Sequence, residues 1–117
     1  MRRDPRAYLW DALTAADAIM EFTRGRSLDA YLADRMLRAA VERQFEIIGE
    51  ALGQLSKAAP AMAASIPDIR QVIDFRNLLI HGYATVDHRE VWGTIQDDLP
   101  ALRDQIGRAL SELGQTP

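Results

Sequence analysis

The spacing of helix-ending residues constrains this fold more than any other feature of the sequence. Prolines, glycines and capping residues divide the chain into four segments with helical periodicity, and no run of alternating β-branched residues predicts a strand. The longest segment runs from about residue 27 to 58. Its interior, residues 31–55, contains no proline, and as one helix this interior would be about 40 Å long. We therefore predict an all-α fold in which this helix is the spine.

Three further helical segments flank the spine, and short connections join all four. Such connections favour antiparallel neighbours, so we predict an up-and-down bundle of four main helices in a single domain over residues 1–117. Gly82 predicts a left-handed C-cap for the third helix, and Pro100 predicts a kink in the fourth. The expected ranges of the first, third and fourth helices are 4–25, 68–81 and 87–113.

The composition limits the classes of function open to the chain. The 117 residues carry a formal net charge of -3, which argues against binding nucleic acid by bulk electrostatics, so any such contact must use a local site. With no cysteine and two histidines, the sequence predicts no disulfide, no protein-only metal site and no cofactor. No segment resembles a secretion signal or a membrane span, so we expect no membrane contact and a cytoplasmic location.

Arg76 breaks the amphipathic pattern of the third helix. At about 100° per residue, apolar side chains cover one arc of this helix, and Arg76 projects inside that arc. An unpaired guanidinium would be costly to desolvate there, so Arg76 needs an anionic partner, a protein interface or a ligand. One alternative is an ordinary buried ion pair with a glutamate of the second helix. The candidates are Glu42, Glu46 and Glu50.

Three polar residues follow Arg76 towards the end of the third helix. Asn77 and His81 are four residues apart and share the polar face, and Tyr83 comes directly after Gly82. Histidine is the side chain that most readily exchanges protons near neutral pH, so His81 is a candidate acid–base residue. A structural helix cap remains the alternative for His81, and a half-buried aromatic ring remains the alternative for Tyr83.

These residues resemble a known motif. The segment RNLLIHGY at 76–83 matches the R-x-x-x-x-H-x-Y pattern of the HepT-type HEPN toxins. The second helix is also similar to that of this family, in the stretches AVER at 40–43 and IIGEA at 47–51. The resemblance covers the chain from about residue 8 to 110.

The resemblance implies the HEPN fold, a homodimer, and a metal-independent endoribonuclease that cleaves RNA such as tRNA or mRNA. Its catalytic residues would be Arg76 and His81 of both protomers, converging on a shared cleft. His81 would act as general base or acid while the RNA 2′-hydroxyl attacks the adjacent phosphate, and Arg76 would stabilise the developing charge. Asn77 would support His81 or bind phosphate. No metal is needed because the nucleophile belongs to the substrate.

The resemblance also implies a regulatory partner. Toxins of this kind form one half of a type VII-like toxin–antitoxin pair, in which an MntA-like minimal nucleotidyltransferase antitoxin adds AMP to the motif tyrosine, here Tyr83. The resemblance does not determine whether the toxin–antitoxin complex is larger than a dimer. Two alternatives remain: a non-catalytic partner subunit that presents a nucleotide or substrate to the nucleotidyltransferase, and a purely structural dimerisation domain. The acidic net charge favours these two, but the intact motif outweighs it.

Overall fold

The computed structural model describes residues 3–113, and within them every regular element is a helix. The all-α prediction is therefore confirmed. The predicted domain over 1–117 includes positions 1, 2 and 114–117, which lie outside the described residues. The elements are α1 (Pro5–Thr23), α2 (Leu28–Ala33), α3 (Arg35–Ala58), α4 (Pro60–Ala63), α5 (Ile69–His81), a 3₁₀ helix (Tyr83–Thr85), α6 (His88–Asp97) and α7 (Leu99–Glu112).

Helices α1 and α3 form the centre of the core, and α5 packs on α3 while α7 packs on α1. α1 begins where the Asp4 carboxylate accepts the backbone N–H of Arg6 at 2.9 Å, and Gly25, at φ 73°, follows its end. The buried face of α1 is rich in alanine, which allows close packing against larger side chains of α3. The fully buried large side chains include Leu9, Ile19, Phe45, Ile48, Leu52 and Ile106.

The prediction of one long second helix is wrong at Asp34, where the chain divides into α2 and α3. Asp34 has an extended backbone (φ -109°, ψ 95°), and its carboxylate accepts the N–H of Leu37 at 3.0 Å. A side chain that caps the following helix competes with a continuous helical backbone. The break lets α2 bury Tyr31 against Trp92 of α6, with ring centroids 5.3 Å apart.

The predicted fourth helix is two helices, α6 and α7, divided at Asp98 rather than kinked at Pro100. Pro100 lies in the first turn of α7, where its missing backbone N–H has no intrahelical acceptor to lose. The four predicted segments thus correspond to α1, to α2 with α3, to α5, and to α6 with α7. Among residues 3–113, no helix has the length and apolar character needed to cross a membrane.

Candidate active site

Helix α5 is held on α3 by a narrow apolar face. Val72 and Leu79 are buried, and Phe75 meets Phe45 of α3 edge to face, with ring centroids 5.0 Å apart. Leu78, in contrast, is 45% exposed. The apolar arc expected from the sequence is therefore only partly buried, and the rest of it is exposed to solvent.

Gly49 lets α5 come very close to α3 at the position of Arg76. A Cβ atom at position 49 would lie 2.1 Å from the Arg76 Cβ and 2.6 Å from its Cγ, whereas non-bonded carbons rest at about 3.5–4.0 Å. No larger residue fits there unless α5 moves. Gly49 is a positioning residue that was not predicted from the sequence. A glycine inside a long helix lowers stability by about 1 kcal/mol relative to alanine. Its presence at position 49 is therefore a sequence feature that could have indicated a close packing contact.

Arg76 extends from this contact into an open groove between α1, α3 and α5, where its side chain is 27% exposed. Its Nη2 donates to Oε2 of Glu50 at 2.9 Å, and its Nη1 donates to Oδ1 of Asn77 at 3.1 Å. Its Nε is enclosed by protein and has no acceptor within residues 3–113. Of the three glutamates considered from the sequence, Glu50 is the one that pairs with Arg76.

The Arg76 groove combines arginines with carboxylates. Its volume is about 400 Å³, and the guanidinium of Arg3 lies over the ring of Tyr8, 5.1 Å from the ring centroid. Each of the three arginines that line the groove contacts a carboxylate that also lines it, so carboxylates of the same groove neutralise the local positive charge. The pairs are Arg3 with Asp11 at 2.8 Å, Arg43 with Glu46 at 3.6 Å, and Arg76 with Glu50 at 2.9 Å.

His81 is the last residue of α5, and its side chain is exposed. Gly82 closes the helix by donating its N–H to the carbonyl oxygen of Leu78 at 2.7 Å. The predicted left-handed conformation of Gly82 is wrong, because its φ is -114° and the chain continues directly into the 3₁₀ helix. The imidazole of His81 is thus accessible from solvent, but His81 is not among the residues that line the Arg76 groove.

Asn77 and Tyr83 are both exposed. The amide oxygen of Asn77 accepts from Arg76, so the contact of Asn77 in this structure is with the arginine. Tyr83 is 76% exposed at the start of the 3₁₀ helix, and the alternative of a half-buried ring is therefore wrong. The structure brings Arg76, Asn77 and Glu50 into contact, while His81 and Tyr83 lie further along, where α5 ends.

A second titratable cluster, outside the Arg76 groove, involves α2, α3 and α6. Nδ1 of His88 lies 3.6 Å from Oε2 of Glu42. Burial raises the pKa of the Glu42 carboxyl, although the charges of His88 and Arg38 oppose this shift. Burial, and then the charge of Glu42, raises the pKa of the Tyr31 hydroxyl, which has no hydrogen-bond partner within residues 3–113. Glu42, a candidate partner of Arg76 from the sequence, contacts His88 instead.

A second cavity, of about 200 Å³, is lined by side chains of α3, α5, α6 and α7. Its wall includes the rings of Phe45 and Phe75, together with the carboxylates of Asp68 and Asp98. Gln105 donates to the Asp68 carboxylate at 3.0 Å, so this acid already has a partner in the protein. Over the described range, 3–113, no three histidine, aspartate or glutamate side chains are grouped as a metal site would require.

Comparison with known proteins identifies relatives over almost the whole chain. "Probable ribonuclease HepT" of Thermococcus cleftensis is 37% identical over 106 residues, which cover 91% of this chain and 96% of that protein. "Putative RNase TTE0752" of Caldanaerobacter subterraneus is 32% identical over 110 residues, with 94% and 97% covered. "Putative RNase MJ1380" of Methanocaldococcus jannaschii is 30% identical over 105 residues, with 90% and 95% covered. No solved structure matches the chain significantly.

The family match covers both helices that form the Arg76 contact. The family described as "Ribonuclease HepT-like" matches residues 12–109, a span that includes Gly49, Glu50 and the segment 76–83. The resemblance that the motif indicated is thereby confirmed. This chain belongs to the HepT-like ribonuclease family.

Proposed function

We propose that this protein is a metal-independent endoribonuclease, the toxin half of a type VII-like toxin–antitoxin pair, with Arg76 and His81 as its catalytic residues. The observation that carries the proposal is the accessibility of Arg76. Its guanidinium leaves an apolar helix face and reaches an open groove, where its ion-pair partner Glu50 has a side chain that is 55% exposed. An arginine placed in this way is available to a phosphate. The names of two relatives, "Putative RNase MJ1380" and "Probable ribonuclease HepT", support ribonuclease activity in general.

The proposed reaction uses the 2′-hydroxyl of RNA as its nucleophile. This oxygen attacks the adjacent phosphorus, the bond from phosphorus to O5′ breaks, and the products carry a 2′,3′-cyclic phosphate and a 5′-hydroxyl. His81 accepts the proton of the 2′-hydroxyl or donates a proton to O5′, and the two copies of His81 in a homodimer divide these tasks. Arg76 stabilises the charge on the phosphoryl oxygens. The nucleophile belongs to the substrate, so no metal-bound water is needed.

A homodimer is part of the proposal because the two catalytic residues leave α5 in different directions. Five positions along a helix correspond to a rotation of about 140°, and His81 does not line the Arg76 groove. A second protomer that brings its own His81 towards this groove would complete the site. A substitution that separates the protomers is therefore expected to abolish cleavage even when both catalytic residues are present.

Tyr83 is the proposed site of regulation by an MntA-like nucleotidyltransferase antitoxin. Its ring is 76% exposed and directly follows the end of α5, so a partner enzyme could reach the hydroxyl and add AMP. The phosphate of that AMP would place negative charge beside the catalytic segment and compete with RNA for Arg76. Asn77 has a supporting role in this proposal, because its amide oxygen orients the Arg76 guanidinium.

RNA cleavage in EDTA tests the catalytic proposal. The wild-type protein should cleave, and Arg76→Ala and His81→Ala should each abolish cleavage while the circular dichroism spectrum stays helical. Arg103→Ala is the matched control, because Arg103 pairs with Asp17 at 2.7 Å outside the Arg76 groove, and this variant should keep activity. Cleavage that survives both catalytic substitutions would reject the site. Binding to the nucleotidyltransferase without cleavage by the free dimer would favour the non-catalytic alternative.

Intact mass measurement tests the regulatory proposal. The protein is co-expressed with the nucleotidyltransferase that the proposal assigns to it as a genomic neighbour, and the wild-type chain should gain one or more adenylyl units. Tyr83→Phe should gain none. A mass gain that persists in this variant would place the modification on another residue. If the wild-type chain stays unmodified, the nucleotidyltransferase can inhibit it only by binding.

A further inference from the structure

The Arg76 side chain already contacts an anion in the free protomer. Oε2 of Glu50 accepts from Nη2 of Arg76 at 2.9 Å, and Oε1 of Glu50 accepts from Nε2 of Gln54, one turn further along α3, at 3.2 Å. Both carboxylate oxygens therefore have a donor, although the Glu50 side chain is 55% exposed. Glu50 is thus an ordered carboxylate at the place where a substrate phosphate would have to bind.

The Glu50 carboxylate uses only half of the guanidinium edge that it faces. In arginine, the N–H bonds of Nε and Nη2 point side by side, so an anion with two oxygens can accept both. Here Glu50 accepts from Nη2 only, while Nε is shielded from water and has no acceptor within residues 3–113. A buried donor without an acceptor is unfavourable. The single bond from Nη2 to Glu50 therefore leaves this edge of the guanidinium only partly satisfied.

We propose that Glu50 is a displaceable counter-ion that competes with the RNA phosphate for Arg76. This inference rests on the proposed function, because it takes RNA phosphate as the second anion. The phosphate takes the place of Glu50 at Nη2, and Glu50 moves into solvent, where Gln54 and water satisfy its carboxylate. Exposed ion pairs contribute little stability, so this pair opens at low cost. Until then, Glu50 keeps the guanidinium oriented and lowers the affinity of the groove for RNA.

Glu46 provides the matched control for this idea. It lies one turn before Glu50 on α3, lines the same groove, and contacts Arg43 at 3.6 Å. Glu46→Gln removes the same unit of charge from the same groove but leaves the Arg76 pair intact. A general electrostatic effect would respond to both substitutions, whereas competition at Arg76 responds to Glu50→Gln alone.

Binding of an uncleavable RNA tests the competition. The probe is a short, labelled, single-stranded 2′-O-methyl oligouridine, whose affinity is measured by fluorescence anisotropy at fixed salt. Phosphate contacts do not depend on base sequence, so one sequence is sufficient. Glu50→Gln should lower the Kd by roughly three- to tenfold, and Glu46→Gln should change it by less than about twofold. In an Arg76→Ala background, Glu50→Gln should have no effect, because the arginine for which the anions compete is gone.

Three results would overturn the inference: no gain in affinity for Glu50→Gln, a gain that persists without Arg76, or no binding by any variant. A fold defect is a minor concern, because Glu50 is more than half exposed and glutamine keeps its shape, and circular dichroism checks it directly. A separate experiment tests the proposed function. The wild-type protein should cleave unmodified RNA in EDTA, and Arg76→Ala should lose this cleavage.

Discussion

Replacing Gly49 by alanine is expected to displace Arg76 and remove activity while the protein stays folded. The added Cβ would lie 2.1 Å from the Arg76 Cβ, whereas non-bonded carbons need at least about 3.5 Å. Relief therefore requires α5 to move away from α3 by roughly 1.4 Å at this point. A misplacement of about 1 Å in a catalytic site can lower the rate about 100-fold. We expect a loss of RNA cleavage of that order.

The stability of Gly49→Ala should change less than its activity, because two effects oppose each other. Overpacking a tight contact costs about 1–3 kcal/mol, whereas alanine in place of glycine stabilises a helix interior by about 1 kcal/mol. The free energy of unfolding should therefore fall by about 0–2 kcal/mol. Most of a stability of about 5–15 kcal/mol, usual for a domain, would remain.

Gly53→Ala is the control for this prediction, because Gly53 lies one turn later on α3 and a Cβ there has nothing within 4 Å. It should gain about 0.5–1 kcal/mol of stability and keep full cleavage. Both variants are measured by urea unfolding and by single-turnover cleavage of labelled RNA in EDTA. Wild-type cleavage by a folded Gly49→Ala protein would refute the argument that this contact places Arg76.

Three further predictions concern single side chains. Arg76→Lys keeps the charge but loses the planar fork of donors proposed to bind the phosphoryl oxygens, so cleavage in EDTA should fall at least about tenfold. Asp34→Ala removes the N-cap of α3, so urea unfolding should show a loss of about 1 kcal/mol with unchanged cleavage. Burial raises the pKa of Glu42 above its unfolded value, so its ionisation destabilises the folded state as pH rises. Glu42→Gln removes that cost, so its Tm relative to wild type should increase from about pH 4 to about pH 8, and a flat or falling difference would contradict this.

Helices α1 and α5 follow closely from the sequence because caps and helix breakers act locally. The predicted ranges 4–25 and 68–81 compare with Pro5–Thr23 and Ile69–His81. The break at Asp34 does not follow, since an aspartate can cap a new helix or lie on the exposed face of a continuing one. The choice between these depends on the packing of Tyr31 against α6. Local periodicity contains no information about that distant contact.

Local sequence patterns predict one part of the candidate site, and contacts between helices distant in the sequence determine the rest. Helical periodicity alone singles out Arg76 as a cation on an apolar arc. Its partner cannot be chosen from the sequence, because Glu42, Glu46 and Glu50 recur every four residues along one face of the second helix. Only the register of α5 against α3 selects Glu50. The close contact at Gly49 belongs to that register, and it becomes visible when the two helices are seen together.

The chemical ends of the RNA products test the central claim most directly. If Arg76 and His81 act on the substrate's own 2′-hydroxyl, cleavage of a synthetic RNA in EDTA should leave a 2′,3′-cyclic phosphate on one fragment and a 5′-hydroxyl on the other, as identified by mass spectrometry. A 2′-deoxy nucleotide at the cleaved position should block the reaction there. Fragments that end in 3′-hydroxyl and 5′-phosphate groups, or cleavage next to the 2′-deoxy nucleotide, would contradict the account.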